Sequence, residues 1–133
     1  MNLTPFLSAS PIIQIHAIAT LFAFALGLIQ FALIKGNFRH RVLGYVWVVL
    51  MYVTAISSLF INQEPWFGPF SPIHLLSLLV IFGTPSSVLA ARRGNIRGHK
   101  SGMMQLFIFG LIVAGAFAAL SPGRILYQML FTA

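Results

Sequence analysis

From Ile12 to Ile34 the chain carries no formal charge, and a helical run of that length, at about 1.5 Å per residue, crosses a hydrocarbon core about 30 Å thick. Three further uncharged apolar runs follow, about Val42 to Ile61, Ile73 to Ala91 and Met103 to Leu120. A segment buried in lipid must satisfy its backbone N–H and C=O groups internally, which leaves runs of this kind the helix. The expected fold is therefore all-α: an integral membrane four-helix bundle, up-down-up-down, in one transmembrane domain. The charge content agrees, since only 7% of residues are charged where a soluble domain carries about a quarter.

The connections between runs are not alike. Lys35-Gly36-Asn37-Phe38-Arg39-His40-Arg41 joins the first run to the second, and Arg93-Gly94-Asn95-Ile96-Arg97-Gly98-His99-Lys100 joins the third to the fourth. Both are basic turns punctuated by Gly-Asn and ending near a histidine. An Ile-His pair precedes each, Ile15-His16 and Ile73-His74, placed 24 and 25 residues before the turn histidine. The chain reads as two tandem two-helix repeats, about 12–61 and 73–120, followed by a tail, 121–133, expected to lie on the surface or to be a disordered end. Lys35, Arg39, Arg41, Arg92, Arg93, Arg97 and Lys100, seven of the eight bases, flank the two turns, which places them on the cytoplasmic side and both termini outside. Each repeat holds an even number of spans, so the copies share one orientation. The connection from Asn62 to Pro72, with Glu64, Trp66, Phe67 and Phe70, suits a loop at the outer lipid boundary. Gly83-Thr84-Pro85-Ser86-Ser87 interrupts the third run, where Pro85 removes a donor, frees the carbonyl of Ile81 and is expected to kink the helix.

The four histidines are the only ones in the chain, and the topology sorts them into two pairs. His16 and His74 fall near the outer ends of the first and third spans; His40 and His99 open the two returning spans. Spans one and three are diagonal partners in such a bundle, as are two and four, and the diagonal is roughly 13 Å when neighbouring axes lie 8–10 Å apart. Two imidazoles facing each other across that gap can ligate the iron of one haem b. The outer and inner pairs would stand roughly 28 Å apart along the helices. Polar and small residues continue the same stripes: His16, Thr20, Ala23, Gly27 and Gln30; His40, Gly44, Trp47, Met51, Thr54 and Ser58; His74, Ser77, Ile81 and Thr84; His99, Met103, Leu106 and Gly110. Such stripes make room for a flat ligand and serve close helix packing equally well.

With no cysteine, disulfides and thiolate chemistry are excluded. The lone acid Glu64 lies in an expected loop and no aspartate exists, which leaves hydrolysis and acid-coupled transport without their usual groups. The bases lie at the ends of apolar runs rather than on a solvated face, so nucleic acid is not the expected partner. Three readings remain: a b-type haem electron carrier using His16 with His74 and His40 with His99; a cofactor-free accessory or scaffold subunit of a larger membrane complex; and a binder of anionic lipid or quinone head-groups through Arg39, Arg41, Arg97 and Lys100. A stand-alone enzyme is not the expectation.

The series Ile15-His16, Gly36 to Tyr45, Gly68 to Ser77 and Ile96 to Met104 resembles a family of small predicted bacterial membrane proteins classed as a domain of unknown function. The resemblance covers nearly the whole chain and implies a four-span protein of the bacterial inner membrane with no established activity. In spans and paired histidines alone, the chain is similar to di-haem b-type cytochromes of the ascorbate-reducible and ferric-reductase kind.

Overall fold

The computed structural model describes residues 3–60, 72–120 and 125–131. The aromatic connection with Glu64, Trp66, Phe67 and Phe70, and the expected Ser121-Pro122-Gly123 stop, lie outside the described residues. A short helix α1 (Thr4–Leu7) precedes α2 (Pro11–Ala32), α3 (Phe38–Leu59), α4 (Pro72–Arg92) and α5 (Ile96–Phe107). The last long rod then continues through a π-helical stretch, Ile108–Val113, into α6 (Ala114–Leu120), and α7 (Ile125–Phe131) follows. Among the described residues, four helices are long and apolar enough to cross a membrane: Pro11–Ala32, Phe38–Leu59, His74–Arg92 and Ile96–Phe117.

The second and fourth spans begin earlier than their apolar runs. Asn37 and Asn95 stand at the N-caps, their side-chain oxygens accepting from the backbone N–H of His40 at 2.8 Å and of Gly98 at 3.0 Å. A cap defines the start of a helix whatever the hydropathy of its first turn, so Arg39, Arg41, Arg97 and Lys100 are helical. Gly36 and Gly94 just before them hold positive φ, 86° and 78°, a conformation glycine reaches without steric cost. The repeated Gly-Asn is thus a chain reversal followed by a cap, made twice.

Sequential helices pack side by side, α2 on α3, α3 on α4 and α4 on α5, and the π-helical stretch returns to touch α2 and α4, which closes the ring. Diagonal positions therefore belong to α2 with α4 and to α3 with α5. Mid-bundle is apolar: Ala23, Trp47, Met51, Ala55, Val80, Leu106, Phe107 and Leu111 are buried against one another. Without a hydrophobic drive in lipid, such contacts depend on close approach. At Gly27 a Cβ would stand 2.5 Å from the Phe107 ring, and at Gly110 it would stand 2.9 Å from Val80 and 3.1 Å from Met51. Gly115 has nothing within 4 Å of that position, so it plays no such part.

The carbonyl that Pro85 frees does not go unpaired. α4 runs helical through Pro85, and the Tyr52 hydroxyl of α3 donates to the Ile81 oxygen at 3.0 Å. The tail is helical over Ile125–Phe131 and packs with α6 and α1, so for those residues the disordered alternative does not hold. The π-helical stretch has no counterpart in the apolar periodicity; its wider turn carries Gly110 and Leu111 into the core.

Candidate functional site

Polar side chains gather at both ends of the bundle, and Thr54 and Thr84 are buried between them. At the basic end, the capped turns set His40 in the first turn of α3 and His99 in the first turn of α5. The repeat is not exact: Asn37 caps the amide of His40, whereas Asn95 caps Gly98, so His99 sits one residue further along. The two rings approach edge to face across the α3–α5 diagonal, with centroids 6.4 Å apart and planes at 84°.

A ring hydrogen bond fixes the tautomer of His99. His99 Nδ1 lies 2.9 Å from the Ser87 carbonyl, which can only accept, so Nδ1 carries the proton and the neutral ring has its lone pair on Nε2. His40 Nδ1 is buried with no protein partner. Gln30 of α2 donates its amide to the His40 carbonyl at 2.9 Å, while its own oxygen is buried and unpartnered. Beside this pair Arg92 donates to the Tyr45 hydroxyl at 2.6 Å, its guanidinium 5.8 Å above the ring centre. Arg39, Arg41, Arg97 and Lys100 are exposed at this same end, where anionic head-groups lie in a bilayer.

At the neutral end His16 and His74 both turn onto the last turns of α3. His16 Nδ1 donates to the Thr54 carbonyl at 2.9 Å and lies 3.0 Å from the Ser57 hydroxyl. His74, 4% exposed, donates instead from Nε2, to the Ser58 carbonyl at 3.2 Å. Ser58 and Ser77 join α3 to α4 hydroxyl to hydroxyl.

The stripes expected from the sequence lie at the interfaces. Trp47, Met51, Thr54 and Ser58 of α3 are buried, as are His74, Ser77 and Thr84 of α4, Leu106 of α5 and Gly110 just beyond it. Trp47 donates its indole N–H to the Ala23 carbonyl at 3.1 Å. Sequence reasoning missed Ser87, the acceptor for His99, and Tyr52, the acceptor-seeking hydroxyl opposite Pro85. A signal for Ser87 existed: it lies ten residues after Ser77 and three after Thr84, on the same α4 face.

Among the described residues no group of three or more His, Cys, Asp or Glu side chains could hold a metal ion. A bare ion in a structural site needs about four ligands and in a catalytic one about three, which the His40–His99 pair does not supply. Two imidazoles suffice for an iron whose equatorial positions come with its cofactor. His40 and His99 are the residues that could hold such a group: the His99 ring is oriented through its Nδ1, as ligating histidines commonly are, whereas His40 Nδ1 has no partner. No curated protein and no solved structure matches the chain. The profile of one family does, over residues 13–129, and the chain belongs to the family described as predicted membrane protein, DUF2306.

Proposed function

We propose that this membrane protein is a one-electron carrier that binds haem b at the basic end of the bundle, between His40 of α3 and His99 of α5. The observation that supports the reading is the 6.4 Å separation of the two ring centroids. Imidazoles bonded at about 2 Å to opposite sides of one metal have their ring centres roughly 6 Å apart. When bound, the haem would supply the reversible one-electron change. The chain's own part is orientation and enclosure. Ser87 holds the His99 ring by its Nδ1–H, Gln30 holds the His40 backbone from α2, and the apolar layer of Trp47, Leu106 and Phe107 shuts water out from the middle of the membrane. The positive-inside rule puts this end on the cytoplasmic side, so electrons would be exchanged with a partner there.

The test is an absorption spectrum of the intact protein purified from haem-replete cells, oxidised and then reduced. A Soret band with a reduced α-band is expected, absent from His40→Ala and His99→Ala and kept by Thr20→Ala. Colourless wild-type protein from such cells overturns the proposal.

A further inference from the structure

Gln14, Gln30 and Gln105 lie within the described spans, and the first two direct their amide protons to backbone carbonyls. Gln14 donates to Phe6 and Leu7 at 3.1 and 3.3 Å, and Gln30 donates to His40; both are half-buried. Gln105 differs. Its side chain is exposed on the outer face of α5 and donates at 3.2 Å to the Ser101 hydroxyl, one turn earlier on the same helix. Among the described residues nothing meets its Oε1 or its second amide hydrogen. The buried polar atoms that lack a partner, on Gln30, His40, Thr54 and Thr84, are enclosed by the bundle. Gln105 faces lipid.

Depth makes that exposure costly. Gln105 stands ten residues after the Asn95 cap, about 15 Å along the helix and so near the middle of a hydrocarbon core about 30 Å thick. The next two residues, Leu106 and Phe107, belong to the buried apolar layer. An exposed serine such as Ser86 can turn its hydroxyl onto the preceding turn of its own helix. A glutamine amide, with two donor hydrogens and an acceptor oxygen, cannot satisfy itself that way. In lipid an unpaired amide is expensive, and glutamine side chains there bond across helices. The surroundings of Gln105 suit a helix: Ser101, Gln105, Ile108 and Ile112 are all exposed and follow at intervals of four, three and four residues, the spacing of a seam along which two helices pack in parallel.

We propose that the protein is a homodimer in the membrane, with α5 of one copy packed in parallel on α5 of the other and their Gln105 amides paired across the two-fold axis. An acyl chain offers this face no hydrogen bond. A different protein would need a polar group at this depth, whereas a second copy inserted in the same direction carries one there by symmetry. A carboxamide is also its own complement: each Nε2 donates its second hydrogen to the other Oε1, so both amides are satisfied while the Ser101 bonds persist. Arg97, about two turns from Gln105 towards the basic end, is exposed, and its charge lies at head-group level, where lipid phosphates offset the repulsion between copies. The contact uses neither His40 nor His99 and does not depend on what they hold.

The chain contains no cysteine, so single introduced cysteines report the contact. Membranes from cells producing full-length Ile108→Cys or Phe82→Cys protein are oxidised with copper phenanthroline and run on non-reducing gels. Ile108→Cys should form a disulfide-linked dimer, because the seam brings its Cα atoms within the reach of about 7 Å that a disulfide needs. Phe82→Cys, 72% exposed on α4, should stay largely monomeric. For the equilibrium, copies labelled at the N-terminus with donor or acceptor dye are diluted with phosphatidylcholine and phosphatidylglycerol, and energy transfer is followed. Gln105→Leu should raise the dissociation constant about five- to tenfold, the worth of two interhelical hydrogen bonds, while Ser86→Ala keeps the wild-type value. Equal disulfide yields at Ile108 and Phe82, disulfides only to other proteins, no energy transfer in the wild type, or an undiminished dimer in helical Gln105→Leu protein overturns the proposal.

Discussion

Tyr52→Phe removes one oxygen atom, and its cost depends on a residue of another helix. Pro85 has no N–H, so the Ile81 carbonyl loses its helical donor and accepts from the Tyr52 hydroxyl at 3.0 Å instead. Deleting that donor leaves a carbonyl in hydrocarbon surroundings unpaired. Orphaned buried groups cost about 1–3 kcal/mol, and interhelical hydrogen bonds within membranes average about 0.6 kcal/mol with a maximum near 1.7; a loss of about 1 kcal/mol is expected. Pro85→Ala restores the backbone donor to Ile81. In that background Tyr52→Phe should cost only a few tenths of a kcal/mol, and the double-mutant cycle should return a coupling of about 0.5–1.5 kcal/mol. The assay is reversible unfolding of the four proteins in mixed micelles, followed by far-ultraviolet circular dichroism. Equal costs of Tyr52→Phe in the wild-type and Pro85→Ala backgrounds would refute the reasoning, because the hydroxyl would then stabilise the fold through something other than the carbonyl that proline frees.

Gly27→Ala should destabilise by about 1–3 kcal/mol, since its Cβ would stand 2.5 Å from Phe107 in a filled core, whereas Gly115→Ala, with open space at that position, should be neutral or slightly stabilising; the same unfolding assay separates the two. Asn37→Ala and Asn95→Ala should each cost about 0.5–2 kcal/mol by removing a cap, and Asn37→Asp should restore most of the loss. Trp47→Phe should lose about 1 kcal/mol by leaving the Ala23 carbonyl without the indole donor, read as a lower unfolding midpoint.

Hydropathy located the four spans and their alternation, because a lipid-crossing helix is specified by a long uncharged run and little else. It placed the starts of α3 and α5 too late, because a capping Asn outweighs the charges that follow it. The stripe through Trp47, Met51, Thr54 and Ser58 was legible for the same reason as the spans: small and polar residues at helical spacing have nowhere to go but an interface. Four features were not legible. The Tyr52–Ile81 bond joins residues 29 apart and depends on the register of two helices; the same register decides that Ser87 meets His99. The π-helical stretch reflects how Gly110 is drawn between Val80 and Met51, which composition does not encode. Thr54 and Thr84 become unpaired only once every neighbour has been placed.

Two copies of one helical hairpin bring equivalent histidines to the same level of the membrane, but Gly98, which has no counterpart between Asn37 and His40, advances His99 by one helical position, about 100° of rotation. A strict repeat would give the two ends of the α3–α5 diagonal the same orientation relative to their caps. The inserted glycine instead frees His99 to reach Ser87 on its neighbour α4 while His40 keeps its amide on Asn37. The asymmetry is therefore the part of the repeat that differentiates the two rings: one is anchored through a ring nitrogen, and the other, half-buried, has its Nδ1 buried and unpartnered. Deleting Gly98 should turn His99 away from Ser87, separate the paired rings, and abolish whatever His40 and His99 hold between them while leaving four spans in place. The absorption spectrum and the far-ultraviolet circular dichroism of the deletion variant read these two outcomes separately, and an unchanged spectrum in a folded variant would show that the extra residue does not set the ring pairing.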